Sequence, residues 1–208
     1  MQEVDGSEVN PFNNNSRILV CGYSHSGKSA FVSRLVRKYH SNFSKIIVLG
    51  GKLENLQEIP ITYDDEFDPL NHDDGEDNPP RILMVFDDLI GNKKKVKQAS
   101  EIFYRGRHRN ISCIFITHNL FFPNPDYRMI TLNATHFALF KCRDLSQIDR
   151  FSRTILPKDK IESFLSVYKK EVLKKPFGYL FINITSDIDG PLAIQTDICK
   201  DPIRSFQL

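Results

Sequence analysis

Short, nearly unbroken apolar runs alternate along this chain with stretches in which apolar residues recur at three- and four-residue steps. The first run is RILVC at 17–21, with a glycine directly after it, and it predicts a buried strand. From Ser29 the spacing changes. Val32, Leu35, Val36 and Tyr39 fall on one helical stripe. KIIVL at 45–49 predicts a second strand, and RILMVF at 81–86, ended by Asp87 and Asp88, a third. A helix follows over about 93–106, with Val96, Ala99, Ile102 and Phe103 on one side. ISCIFIT at 111–117 and HFALFK at 136–141 predict two more strands. Pro157 introduces a late helix whose stripe is Ile161, Phe164, Leu165, Tyr168 and Val172. Runs at 179–184 and 192–196 read as a closing antiparallel hairpin across the turn DIDG. Residues 1–16 are polar and Asn-rich, a loose tail by this reading, and 51–80 is irregular and closes on Pro79-Pro80. Strands this uniformly apolar, separated by helices, imply an α/β fold with a mainly parallel central sheet covered on both faces.

Composition fits that expectation. The 208 residues are 40% hydrophobic and 26% charged, which suits one domain with a sizeable core and excludes a disordered chain. No apolar run approaches the roughly 18 residues of a membrane span, and the N-terminus has no apolar signal core, so neither membrane insertion nor secretion is expected. Cys21, Cys113, Cys142 and Cys199 stand singly, three of them within apolar runs. That spacing predicts buried thiols rather than a metal or disulfide framework.

A net charge of +2 hides a separation. Residues 64–78 hold eight acids and no Lys or Arg; setting them aside leaves 28 basic residues against 18 of the 26 acids. A basic body with one acidic loop suits a polyanionic partner.

The strongest chemical signal is GYSHSGKS, residues 22–29, which matches GxxxxGK[ST] between a predicted strand and an amphipathic helix. In such a loop, backbone N–H groups from Gly22, Tyr23, Ser24, His25, Ser26, Gly27, Lys28, Ser29 and Ala30 converge on phosphate oxygens. Lys28 would bridge the β- and γ-phosphates and Ser29 would offer its hydroxyl to Mg²⁺, with ATP as the nucleotide. Asp87, at the end of an apolar strand expected beside the loop's own, is the second candidate for the Mg²⁺ shell. Asp88 is the candidate base for an attacking water.

Three further segments carry two readings each. Arg105 and Arg107 in YRGRHRN are either dipole-offsetting cations at a helix end or groups that reach a phosphate, across a subunit boundary or along a nucleic-acid backbone. His118, where ISCIFIT runs into Thr117-His118-Asn119, is either a satisfied histidine or a sensor lying between the loop and the acidic strand end. Lys93, Lys94, Lys95 and Lys97 are either a solvated face or contacts to DNA phosphates, as is a second lysine cluster between Lys158 and Lys175.

Taken together, GYSHSGKS, RILMVFDD, FYRGRHRNISCIFITHNLF and a late GYLFINIT strand resemble the FtsK–HerA superfamily. Within it they are most similar to the small genome-packaging ATPases of double-stranded DNA viruses of the poxvirus, virophage, adintovirus and Polinton type. The resemblance spans about residues 17–196. It implies a three-layer RecA-like P-loop domain over 17–208, with 51–80 as an acidic insert and a C-terminal antiparallel hairpin. It further implies a hexameric or pentameric ring that moves double-stranded DNA into a capsid using ATP, with a capsid or portal vertex protein as partner. The place of action would be the cytoplasm or nucleus of the host at the site of virion assembly. Gly22, Gly27, Lys28 and Ser29 match the Walker A loop and Asp87-Asp88 the Walker B end, while Arg105 and Arg107 fall in the segment from which an arginine finger would come. Where the resembling proteins carry glutamine after the fourth strand, this chain has His118, which can also donate a hydrogen bond.

Two rival readings have sequence features against them. A nucleoside or nucleotide kinase would have a further glycine where His25 stands, and a GTPase would need an NKxD that THNL does not provide. A nucleotide-binding scaffold without turnover would not need Lys28, Ser29, Asp87 and Asp88 all to be present.

Overall fold

The apolar runs assemble into one ten-stranded sheet. The structure, a computed structural model, describes residues 2–6, 10–67, 70, 79–185, 193–199 and 203–207. Strand β2 (Arg17–Cys21) precedes helix α1 (Lys28–Tyr39), then β3 (Lys45–Leu49), a short β4 (Ile61–Tyr63) and β5 (Ile82–Asp87). Helix α2 (Lys93–Arg105), β6 (Ile111–Thr117), α3 (Pro125–Asn133) and β7 (His136–Phe140) follow. Helices α4 (Ser146–Ile155) and α5 (Ile161–Tyr168) lead through a π-helical turn, Lys169–Leu173, to β8 (Tyr179–Asn183), β9 (Ala193–Thr196) and β10 (Ile203–Gln207). Strand β1 (Gln2–Gly6) closes the sheet, whose order is β1-β10-β9-β8-β7-β2-β6-β5-β3-β4. The six strands from β7 to β4 run parallel, and β8, β9, β10 and β1 continue antiparallel from β7. This is the α/β architecture with a mainly parallel sheet that the apolar pattern predicts, and it is consistent with the RecA-like fold that the resemblance implies.

Both faces are packed because successive side chains on a strand point to opposite sides. Ile18 and Val20 of β2 join Phe31, Val32, Leu35 and Val36 of α1 on one face. Leu19 and Cys21 join Val96, Ile102 and Phe103 of α2, Ile148 and Phe151 of α4, and Phe164 of α5 on the other. Cys21, Cys113 and Cys142 are buried thiols within this core.

The edges depart from the sequence reading. Residues 2–6 are not a loose tail but pair with β10, and Phe12 is fully buried, edge-on to Tyr39 and Phe43 at 5.8 and 5.1 Å. That buried aromatic, together with the Phe12 carbonyl accepting from Arg81, ties the polar, Asn-rich segment to the body. The hairpin of β8 and β9 is present and is widened by β10 and β1; its turn lies outside the described residues. Inside the stretch read as irregular, β4 pairs parallel to β3. Helices α3 and α4 were not expected. Yet α3 begins with an Asn124 side-chain cap on Tyr127 followed by Pro125, and α4 buries a stripe of Ile148 and Phe151. Most of the acidic stretch, residues 68–69 and 71–78, lies outside the described residues. Its described part stays near the sheet: Asp65 accepts the Gly50 N–H at 2.9 Å, and the carbonyl of Phe67 accepts from Gln98.

Candidate active site

The loop after β2 hangs between two neighbouring strand ends. Gly22 N–H donates to the carbonyl of Thr117 at the end of β6, and Tyr23 N–H to that of Lys141 just beyond β7. Glycine is required at position 22 by close approach: a Cβ there would lie 2.5 Å from Cβ of Phe140 and 2.8 Å from Oγ of Ser26. Ser24 and His25 stand exposed at the apex, His25 with φ +63°, a left-handed geometry that histidine tolerates better than most side chains. Gly27, with φ +99°, turns the chain into α1, whose first residues are Lys28, Ser29 and Ala30; Ser29 and Ala30 are exposed.

Lys28 is 6% exposed, and its ammonium donates to the carbonyls of Gly22 at 2.7 Å and Tyr23 at 2.9 Å. Burial pulls its pKa down, against the attraction of the Asp87 and Asp88 carboxylates. The hydroxyl of Ser26 is buried inside the loop with no hydrogen-bond partner among the described residues. The N–H groups of Gly22, Tyr23 and Ser26 are engaged with protein carbonyls, and what the loop offers a phosphate is the orphaned Ser26 hydroxyl beside a lysine held on loop carbonyls at the start of α1.

Across the loop, β5 ends in Asp87. Its side chain packs on Gly51, just after β3, and its backbone carbonyl lies over Gly50: a Cβ on Gly51 would meet Cβ and Cγ of Asp87 at 2.8 Å. Burial raises the Asp87 pKa and the Asp88 charge raises it further, opposed by Lys28 and His118. Asp88 has φ +51° and a side chain 59% exposed.

Contrary to the expectation from sequence, the strand ending in Asp87 does not adjoin the loop's strand, because β6 lies between β2 and β5. That insertion places His118 in the gap. Its Nδ1 lies 3.3 Å from Lys28 Nζ and 3.2 Å from the Gly22 carbonyl, while its Nε2 lies 3.3 Å from Oδ1 of Asp88. The turn carrying it is clamped by residues that local sequence patterns did not single out. Gln147 of α4 accepts from Leu120 N–H at 2.8 Å and donates to Asn119 Oδ1 at 3.3 Å, and the Tyr127 hydroxyl donates to the Asn119 carbonyl.

Other candidates fall elsewhere. Arg105 is exposed at the end of α2, just ahead of the first residue of β6, whereas His118 follows the last. The seven residues of β6 separate those two ends by roughly 20 Å, so Arg105 does not reach its own chain's loop. Arg107 lies in the 3₁₀ turn Gly106–Arg109 at the same end; its side chain is outside the described residues. Of the lysines, Lys93, Lys94 and Lys97 are exposed and Lys94 faces Glu66 at 3.4 Å. Lys95 is 6% exposed and bonds Gln98, so it is withdrawn from the surface on which it was expected.

Neither a protein-family model nor a curated protein matches the sequence. Solved structures do match its fold. The genome packaging NTPase B204 of Sulfolobus turreted icosahedral virus 2, in complex with ATP-gammaS, superposes with a TM-score of 0.61 at 16% identity, over 88% of this chain and 97% of that one. The chain has the B204 fold. The sulfate complex of B204 gives a TM-score of 0.60 at 16% identity over 88% and 96% of the two chains. B204 of Sulfolobus turreted icosahedral virus, described as a DNA-packaging ATPase, gives 0.57 at 14% identity over 88% and 97%. At this identity the likeness to B204 is one of fold, and at that level it bears out the resemblance carried by the motifs. Among the described residues no helix is long and apolar enough to cross a membrane.

Proposed function

We propose that this chain is an Mg²⁺-dependent ATPase that works as a homo-oligomeric ring, a hexamer or pentamer, to move double-stranded DNA into a viral capsid. The observation that carries the reading is the contact chain Lys28–His118–Asp88 at the mouth of a glycine-bounded phosphate loop. It joins a phosphate-binding cation to a carboxylate exposed enough to meet water. In the resting loop Lys28 is held by the Gly22 and Tyr23 carbonyls; with nucleotide present it would exchange them for β- and γ-phosphate oxygens. Asp88 would orient the attacking water and accept its proton, with His118 holding that carboxylate in place. Ser29 and Asp87 are the residues to hold Mg²⁺, which when bound neutralises charge on the phosphate oxygens.

In the proposed ring, Arg105 or Arg107 serves the neighbouring subunit's site. Lys93, Lys94 and Lys97 are the proposed DNA-phosphate contacts. Lys93 and Lys94 open α2, which has no acid in its first turn, and oppose the helix dipole, so helix stability does not account for these two. Residues 17–208 act as one ATPase domain carrying 51–80 as an acidic insert. A capsid or portal vertex protein is the proposed docking partner, at the site of virion assembly in the cytoplasm or nucleus of the host.

The test is phosphate release with and without linear double-stranded DNA at low salt. Stimulation by DNA that disappears in Lys28→Ala supports a motor. Phosphate transfer to a nucleoside would identify a kinase instead, and no turnover in either condition would favour a nucleotide-binding scaffold.

A further inference from the structure

On the flank of the loop opposite His118 and Asp88, the segment leading into β8 carries a largely exposed aromatic ring. Phe177 is 66% exposed and has φ +55°, a left-handed geometry unfavourable for a bulky side chain. Such strain persists where the surroundings hold it, often beside a ligand. Two contacts hold it here. Glu171, buried to 1% exposure, is fastened by Lys175 from this segment and by both terminal nitrogens of Arg204 in β10, at 2.9 and 3.2 Å. The ring itself lies along Gly27: a Cβ there would be 3.2 Å from Cδ1 of Phe177. Between ring and loop opens a cleft of about 430 Å³ whose lining includes Tyr23, His25, Ser26 and Lys174. That volume lies within the roughly 300–1,000 Å³ of small-molecule sites.

We infer that Phe177 is the stacking platform for the base of the bound nucleoside triphosphate. The inference rests on the phosphate-loop reading above. With the terminal phosphate at Lys28, His118 and Asp88, on the β6 side of the loop, the nucleoside leaves on the β7–β8 side. There Phe177 and the loop backbone bound the cleft. Phenylalanine presents a π-face and no hydrogen-bonding group. The platform therefore adds affinity for any base, more for the larger purines, and does not distinguish adenine from guanine.

The experiment is calorimetric titration of the full chain with the β,γ-methylene analogues of ATP and GTP and with inorganic tripolyphosphate, each with Mg²⁺. Phe177→Ala should weaken both nucleotides by roughly 5- to 150-fold, the range for loss of one aromatic–base stack, and leave tripolyphosphate unchanged. Phe177→Tyr should restore nucleotide affinity. An equal loss for tripolyphosphate would make Phe177 a support for Gly27 and overturn the inference. So would unchanged nucleotide binding in Phe177→Ala, or wild-type protein binding tripolyphosphate as tightly as nucleotide. Failure of wild-type protein to bind any of the three would overturn the phosphate-loop reading and this inference with it.

Discussion

His118 Nε2 lies 3.3 Å from Oδ1 of Asp88, and the other nitrogen of the same ring lies 3.3 Å from the Lys28 ammonium. With its hydrogen on Nε2, the ring donates to Asp88 and accepts from Lys28, coupling the position of the proposed base to that of the phosphate-binding cation. His118→Ala is expected to lower turnover by about 10²-fold, the scale of a misplaced catalytic group, while nucleotide affinity changes far less. His118→Gln, able to make both contacts, should recover most of the rate. Steady-state phosphate release and nucleotide titration check this together. A matching loss of affinity would mean the histidine supports the loop and not the base.

Gly51 acts on the neighbouring carboxylate. A methyl group there would overlap the side chain of Asp87, meeting its Cβ and Cγ at 2.8 Å. Gly51→Ala should therefore displace Asp87 and reduce turnover by about 10²-fold with nucleotide affinity kept. Gly91→Ala, where an added Cβ meets nothing within 4 Å, should be silent. Equal activity of the two variants would show that the fit of Asp87 to Gly51 is immaterial.

Gly51 also marks where sequence reading ends. The phosphate loop and the central strands were legible because each is a local pattern: fixed glycine spacing in one case, continuous apolar runs in the other. The strands β1, β4 and β10 were not: β4, at one edge, leaves Thr62 and Tyr63 exposed, and the polar residues of QEVDG and IRSFQ read as loop. Strand order is not a local property either. Nothing in ISCIFIT says that it inserts between β2 and β5, yet that insertion is what brings His118 to Lys28 and Asp88. Gln147 and Tyr127 belong to helices that were not anticipated, so their grip on the 118–120 turn was invisible. Lys95 shows the converse. It sits in a lysine run but turns inward, which only packing could reveal.

His136 sets an acid limit on stability. Burial, with a further contribution from the Arg17 charge, lowers its pKa from 6.5 to about 4, and its ring stacks on Phe181 while Nδ1 meets the Thr135 hydroxyl at 2.9 Å. The unfolded chain protonates this residue below about pH 6.5 and the folded chain only near 4. Stability is therefore complete above 6.5 and falls as pH drops through that window. Linkage gives a loss of about 2 kcal/mol between about pH 7.5 and about pH 5 from this group. Denaturant unfolding at both values, for wild type and His136→Asn, checks it. The variant should be less sensitive by that amount, and equal slopes would refute the assignment.

Arg105 and Lys28 lie at opposite ends of the sheet, so one subunit cannot bring them together, and a shared site requires a neighbour. Lys28→Ala should abolish hydrolysis without lowering the unfolding temperature, because burial already disfavours the ammonium it removes. Arg105→Ala should also be inactive alone, with its own loop intact. Mixed in equal amounts and allowed to assemble, the two variants would leave about one interface in four with a working loop facing a working arginine, if assembly is cyclic and random. Phosphate release should then reappear. Its absence, with both variants shown to co-assemble, would return Arg105 to the role of a cation offsetting the C-terminal dipole of α2. The same mixing with Arg107→Ala would decide whether the arginine two positions on serves in its place.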